Sequence, residues 1–323
     1  TQLAAYLAEQ VAPHLLHDVC RAAQLCKADL VTTMVKEFPS LQGVMGREYA
    51  QLSGELPAVA QAIEEHYLPR FAGDRLPASL VGTLVGLADR LDTICGCFGI
   101  GLIPSGSEDP YALRRHGQGV VQILLNAGID LPLSQPITRS LELFGDRLTA
   151  PRERVASEVL EFLAARLQAV LTERGVPGDL VEAALSVDAE RVADAGKRAE
   201  ALAAFRREAD FIELAAAFKR VIRILPKDFS KPVDPRRFVS GAERALHGEA
   251  TTLRAETAHL IQAGDYVRAL QLIAAIRPIV DMFFEEVLVM AEDRDLQDNR
   301  LAILREVADL FCGIANFSKV AAS

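Results

Sequence analysis

Leu80, Leu84, Leu87 and Leu91 recur at the spacing of one face of an α-helix, and almost every segment of this 323-residue chain repeats that period. Leu3, Tyr6, Leu7 and Val11 do so at the start, and Phe238, Ala242, Leu246, Leu253 and Leu260 near the end. No stretch shows the apolar/polar alternation of a half-buried strand. The pattern confines the chain to an all-α fold. The composition agrees, with 50% hydrophobic residues rich in Ala and Leu, 6% aromatics and no Trp. The length predicts two or three domains.

Punctuation divides the helices. One is expected over 19–38, ended by Pro39 and Gly43, with a turn-rich stretch through Gly46. Others are expected over 57–66 and 79–95, the latter with Gly82 and Gly86 for close packing. The run 104–107 is a loop. Asp109 is placed to cap a helix that has Pro110 at its first position and ends near 126–128. Helices over 137–144, 151–174 and 178–185 form a connecting bundle. One or two more span 191–225, and Pro226 closes them. After the loop KDFSKPVDPRR come helices over 237–263, 265–290 (bent at Pro278) and 296–317.

The formal net charge of -9 excludes a protein that attracts nucleic acid over its whole surface; such a site must be a local basic patch. Cys20, Cys26, Cys95, Cys97 and Cys312 are odd in number in a large chain, which favours a reducing cytoplasm over a disulfide framework. Cys95 and Cys97 flank one glycine without a second pair nearby, so they read as core residues before a zinc site. No apolar run has membrane-spanning length. The chain starts in helical period without Met, as a piece of a longer protein would.

The first third is similar to HD domains, helical metal-dependent phosphohydrolases. The run 21–25 leads to Cys26 and Lys27, where the His-Asp ligand pair would fall, and Leu87–Ala88–Asp89–Arg90 places Asp89 as the last ligand. The pair itself is lost, and the literal His17–Asp18 lies nine residues too early. Lys27 puts a cation where an anionic ligand is required, and pairing with Asp29, Asp89 or Asp92 is expected instead. GVMGRE lacks the Lys and Ser/Thr of a P-loop, and GIGLIPSG has its glycines in the wrong order for a dinucleotide fingerprint. No local signature supports a catalytic triad.

Longer motifs carry a stronger resemblance. CKADLVTTMVKEFPSLQGVMGREYA, HYLPRFAGDRLP and LADRLDTICGCFGIGLIPSGSEDPYALRR occur in that order. They are followed by AAAFKRVIRIL, YVRALQLIAAIRPIVDMFFEEVLVMAED and NRLAILREVADLF. Together they resemble the β-subunit family of the bacterial heterotetrameric glycyl-tRNA synthetases. The resemblance implies a heterotetramer of two α and two β subunits that joins glycine to its tRNA. The α subunit would carry the catalytic site and use ATP and Mg, with no cofactor in this chain. It further implies a truncated HD-like domain over 1–130, a helical connector over 131–205 and an anticodon-binding domain over 206–323. Partners would be tRNA(Gly) and the α subunit, with no membrane. Two other readings stay open: an HD phosphohydrolase, and a structural adaptor that binds no RNA.

The charge distribution bears on that choice. Residues 206–237 hold nine basic side chains against five acidic ones in an otherwise acidic chain. In FKRVIRIL, Phe218, Val221, Ile222 and Leu225 share one face while Lys219, Arg220 and Arg223 take the other, with Lys227 just beyond. Such a face suits phosphate contact; a solvated face balanced by acidic neighbours is the alternative. The expected RNA contacts are Lys219, Arg220, Arg223, Lys227, Lys231, Arg236 and Arg237. Phe229, outside any core pattern, is the candidate stacking platform. Arg114 and Arg115 form a second basic point that either meets phosphate or ties Asp109 or Asp92 within the fold. Arg47 and Arg70 are open to the same two readings.

Overall fold

The computed structural model describes residues 1–208 and 211–321. Among them are α-helices, short 3-10 turns and a single bridge between Ser105 and Glu108, but no strand. The all-α expectation holds. The part of the helical reading over 191–225 that falls on 209 and 210 lies outside the described residues. None of the described helices is long and apolar enough to cross a membrane. The chain forms two compact units, one of residues 1–170 with 190–193 and the other of 171–189 with 194 onward.

The first unit holds α1 (Gln2–Val11), α2 (Leu16–Leu25), α3 (Thr33–Glu37), α4 (Val44–Leu52) and α5 (Pro57–Glu65). It continues with α6 (Leu80–Gly99), α7 (Leu113–Ala127), α8 (Ser134–Phe144) and most of α9 (Arg152–Glu173). The α6 helix is its axis and packs on α1, α2, α5, α7 and α8. Its leucine stripe, Leu84, Leu87 and Leu91 with Ile94, is fully buried, and the Ser79 hydroxyl caps it by accepting from Gly82 N at 2.9 Å. The two glycines serve the expected close approach: a Cβ at Gly82 would lie 2.6 Å from Glu65 Cβ, and one at Gly86 3.1 Å from His66 O.

The expected helix over 19–38 is broken. Asp29 turns inward and its Oδ2 accepts from Gly43 N at 2.6 Å, while Thr32 opens the separate α3 by accepting from Val35 N. The stretch read as turns through Gly46 is half helical, since α4 begins directly after Gly43. Gly43 has φ +82°, and a Cβ there would stand 2.8 Å from the Tyr67 ring. Asp109 does not cap at the expected position. The helix starts later, at Leu113 after a left-handed Ala112, yet both Asp109 oxygens still accept from its first turn, at Leu113 N and Arg114 N.

The second unit holds α10 (Gly178–Leu185), most of α11 (Val192–Phe205), α12 (Phe211–Ile224), α13 (Gly241–Ala263), α14 (Tyr266–Ala274), α15 (Arg277–Glu286) and α16 (Arg294–Asp309). The long α13 packs on α14, α15 and α16, and α12 packs on α15 and α16. Phe205, Phe211, Phe218, Phe311 and Phe317 form its aromatic centre, with Phe218 and Phe311 ring centroids 4.2 Å apart. The expected bend at Pro278 is a full break, because the chain stops at Ala274 and restarts with that proline in the first turn. A capping box of Ser240 and Glu243 sets the start of α13 at Gly241, later than expected. The last expected helix, over 296–317, ends early at Asp309.

Candidate nucleic-acid interface

The face of α12 follows from its sequence. Phe211, Leu214, Ala215, Phe218 and Val221 are buried, which turns Arg220 and Arg223 outward with Lys219 half-exposed. Lys219, Arg223 and Lys227 make no ion pair among the described residues. Arg220 lies with its guanidinium carbon 4.0 Å from the centre of the Phe284 ring of α15, which fixes its orientation. Lys219 and Arg223 stand four residues apart on one helix, a like-charge pairing that destabilises a helix by about 0.2–0.5 kcal/mol. Among the described residues, no carboxylate pairs with either side chain to offset that cost.

The loop after α12 differs. Lys231 bonds Asp298 at 2.5 Å. Arg236 forks onto Asp234 at 2.9 and 3.0 Å, and Arg237 bonds Asp295 at 2.9 Å. Asn299 pins the same loop by accepting from Asp234 N at 2.7 Å and donating to its carbonyl at 3.1 Å. These three cations are balanced by Asp234 and by the acidic first turns of α16. Phe229 is half-buried, and its N–H closes a turn on Pro226 O at 3.2 Å.

In the first unit, Lys27 forms an ion pair with Asp89, one of the three partners expected for it. Burial works against the Lys27 charge, but the hydrogen bond and charge of Asp89 outweigh it and raise its pKa. An ammonium therefore occupies the carboxylate that resembles the last metal ligand. Buried Glu64 accepts from both Arg47 and Arg75. Arg114 donates to Gly106 O at 2.8 Å, tying its own loop.

Arg90 is buried and donates to the carbonyls of His66, Gly86, Tyr67, Leu68 and Pro69, between 2.7 and 3.3 Å. Burial lowers its pKa to about 10, with Asp89 opposing. The turn it holds projects Tyr67 and Arg70 into a cavity of about 410 Å³. Its walls also include Pro39, Gln42, Ala112, Arg115 and His116. Arg70 donates to Gln42 O at 3.1 Å, and its main-chain N–H to Asp74 at 2.8 Å. Arg115 is exposed and has no partner among the described residues.

The ten candidate residues thus fall into distinct settings. Lys219, Arg223, Lys227 and Arg115 present unbalanced charge; Arg220 is stacked; Lys231, Arg236, Arg237 and Arg114 are engaged internally; Phe229 is half-sheltered. Arg70, left open between two readings in the sequence, shares a cavity with Arg115. Arg90 as a member of that wall went unread, because only the fold brings the 66–70 turn to the start of α7.

Similarity to known proteins decides the family. A family model described as glycyl-tRNA synthetase beta subunit matches residues 1–186. The chain belongs to the glycyl-tRNA synthetase β-subunit family. Among its relatives, the glycine–tRNA ligase beta subunit of a Geobacter species is 47% identical over 319 residues, 99% of this chain and 46% of the relative. That of Trichlorobacter lovleyi is 48% identical over the same span, again 46% of the relative. That of Geobacter sulfurreducens is 49% identical over 290 residues, or 90% and 42% of the two chains. The chain spans about half the length of the curated β subunits it matches.

Proposed function

We propose that this chain is the tRNA-holding portion of a glycine–tRNA ligase β subunit, acting in the cytoplasm. It positions tRNA(Gly) for ATP-dependent aminoacylation by a separate α subunit that supplies the active site, ATP and Mg. In this reading 1–130 is an HD-like module, 131–205 a connector and 206–323 the anticodon-binding part. The observation that carries it is the α12 face, where Lys219, Arg223 and Lys227 lie unbalanced in a chain of net charge -9. Helix-borne cations without carboxylate partners cost stability, and a phosphate backbone supplies the missing counter-charge. Binding energy gained there orients the distant reacting end of the tRNA.

The test is a titration of the chain with tRNA(Gly) at two salt concentrations, beside a transcript with an altered anticodon. Tighter binding to the correct anticodon, weakened by salt, is the expected result. Lys219→Glu/Arg223→Glu is expected to weaken binding at least tenfold and to flatten the salt slope by about 1–2. Unchanged affinity in that variant would leave the chain a structural adaptor.

A further inference from the structure

The cavity walled by the 66–70 turn and the start of α7 has a lining that the fold alone does not account for. Arg70, Arg90 and Arg115 border it, and no carboxylate does. Arg90 is a buried cation whose hydrogen-bond partners are all carbonyls, with no carboxylate in contact with its guanidinium. The Tyr67 hydroxyl and His116 Nδ1 are buried on these walls without a hydrogen-bond partner of good geometry. The helix N-terminus is not the attraction, because Asp109 already accepts from Leu113 N and Arg114 N. At about 410 Å³ the cavity exceeds what a phosphate alone would fill.

A second cavity of about 470 Å³ shares Ala112 and Arg115 and adds Arg114 and Arg166. Its one acidic neighbour is the same preoccupied Asp109, and Arg166 Nε is buried without a partner. The cationic lining therefore continues beyond the room for one nucleotide, as a strand requires and a free nucleotide does not.

We propose that the first cavity seats one nucleotide of a single-stranded RNA segment, with Arg70 and Arg115 on its phosphate and Tyr67 against its base. The second cavity receives the adjoining backbone. Arg90 contributes its field, since both of its terminal nitrogens are taken by carbonyls. The inference rests on the reading of the chain as RNA-binding, but it uses different residues from the α12 face.

Fluorescence anisotropy of a labelled single-stranded RNA pentamer on the purified chain tests it. Arg115→Glu alters an exposed residue with no internal partner and leaves the fold unaffected, as circular dichroism would verify; it is expected to weaken the pentamer at least tenfold. Arg70→Gln should act in the same direction, whereas Lys219→Glu/Arg223→Glu should stay within twofold. AMP should displace the pentamer only at far higher concentration. Pentamer affinity within twofold in Arg115→Glu, or AMP competing as well as the pentamer, would overturn the proposal. Loss of tRNA binding in the α12 variant alone would sink the pocket and spare the function; loss in the pocket variants alone would keep the pocket and take the α12 face out of tRNA holding.

Discussion

The imidazole of His66 lies at the end of α5, fully buried, with Nδ1 2.7 Å from Ile63 O and Nε2 without a partner. The carbonyl fixes a proton on Nδ1, and burial holds the ring neutral. Burial pushes its pKa down to about 4, with the charge of Asp89 opposing. In the unfolded chain it titrates near 6.5. Between these values the unfolded state binds the extra proton, so stability is complete above about pH 6.5 and is lost as pH falls toward 4. By pH 5 this one ring should cost ~2 kcal/mol. Urea unfolding at pH 7 and pH 5 should show that difference shrinking by about the same amount in His66→Gln. An equal pH dependence in both proteins would show that another group carries it.

Among the elements, α13 and α16 are joined by a buried pair. Arg300 Nε donates to Glu243 Oε1 at 2.7 Å, and its other end to Leu288 O at 2.8 Å. The second oxygen of Glu243 accepts from Val239 N and Ser240 N at the start of α13. Arg300→Met would strand a carboxylate that is wholly buried, and should destabilise the second unit by about 3–5 kcal/mol in chemical denaturation. The paired replacement Glu243→Gln/Arg300→Met should recover part of that loss. The helices themselves were largely legible from period, caps and prolines; α10 runs over the expected 178–185. The misreadings differ in cause. The start of α13 was legible, because Ser240 and Glu243 spell a capping box in the sequence itself. Asp29 reaching Gly43, fourteen residues on, breaks one helix, and local pattern carries no signal of such a distant bond. The same limit applied at the candidate site. The α12 stripe was readable from spacing, whereas the balance at Lys231, Arg236 and Arg237 depends on acids brought up by α16.

For the whole molecule, each unit buries some charges against fixed partners, Glu64, Glu65 and Arg90 in the first and Glu243 with Arg300 in the second, and the second also sets an unbalanced cationic stripe on α12. Among the described residues, the glycine runs 43–48 and 99–106 match no phosphate-loop sequence. The purified chain should therefore give no glycine-dependent exchange of pyrophosphate with ATP, and exchange above the buffer blank would assign it a catalytic centre of its own. The self-neutralised loop after α12 has a further consequence for a protein working among many nucleic acids. Had Lys231, Arg236 and Arg237 stood bare beside the stripe, any polyanion could have lain across the broad patch. With those three quenched by Asp234, Asp295 and Asp298, only a ligand whose charges follow a narrow track gains the full attraction. Under the proposed function, discrimination against the wrong transcript would be written partly in acids that touch no RNA at all.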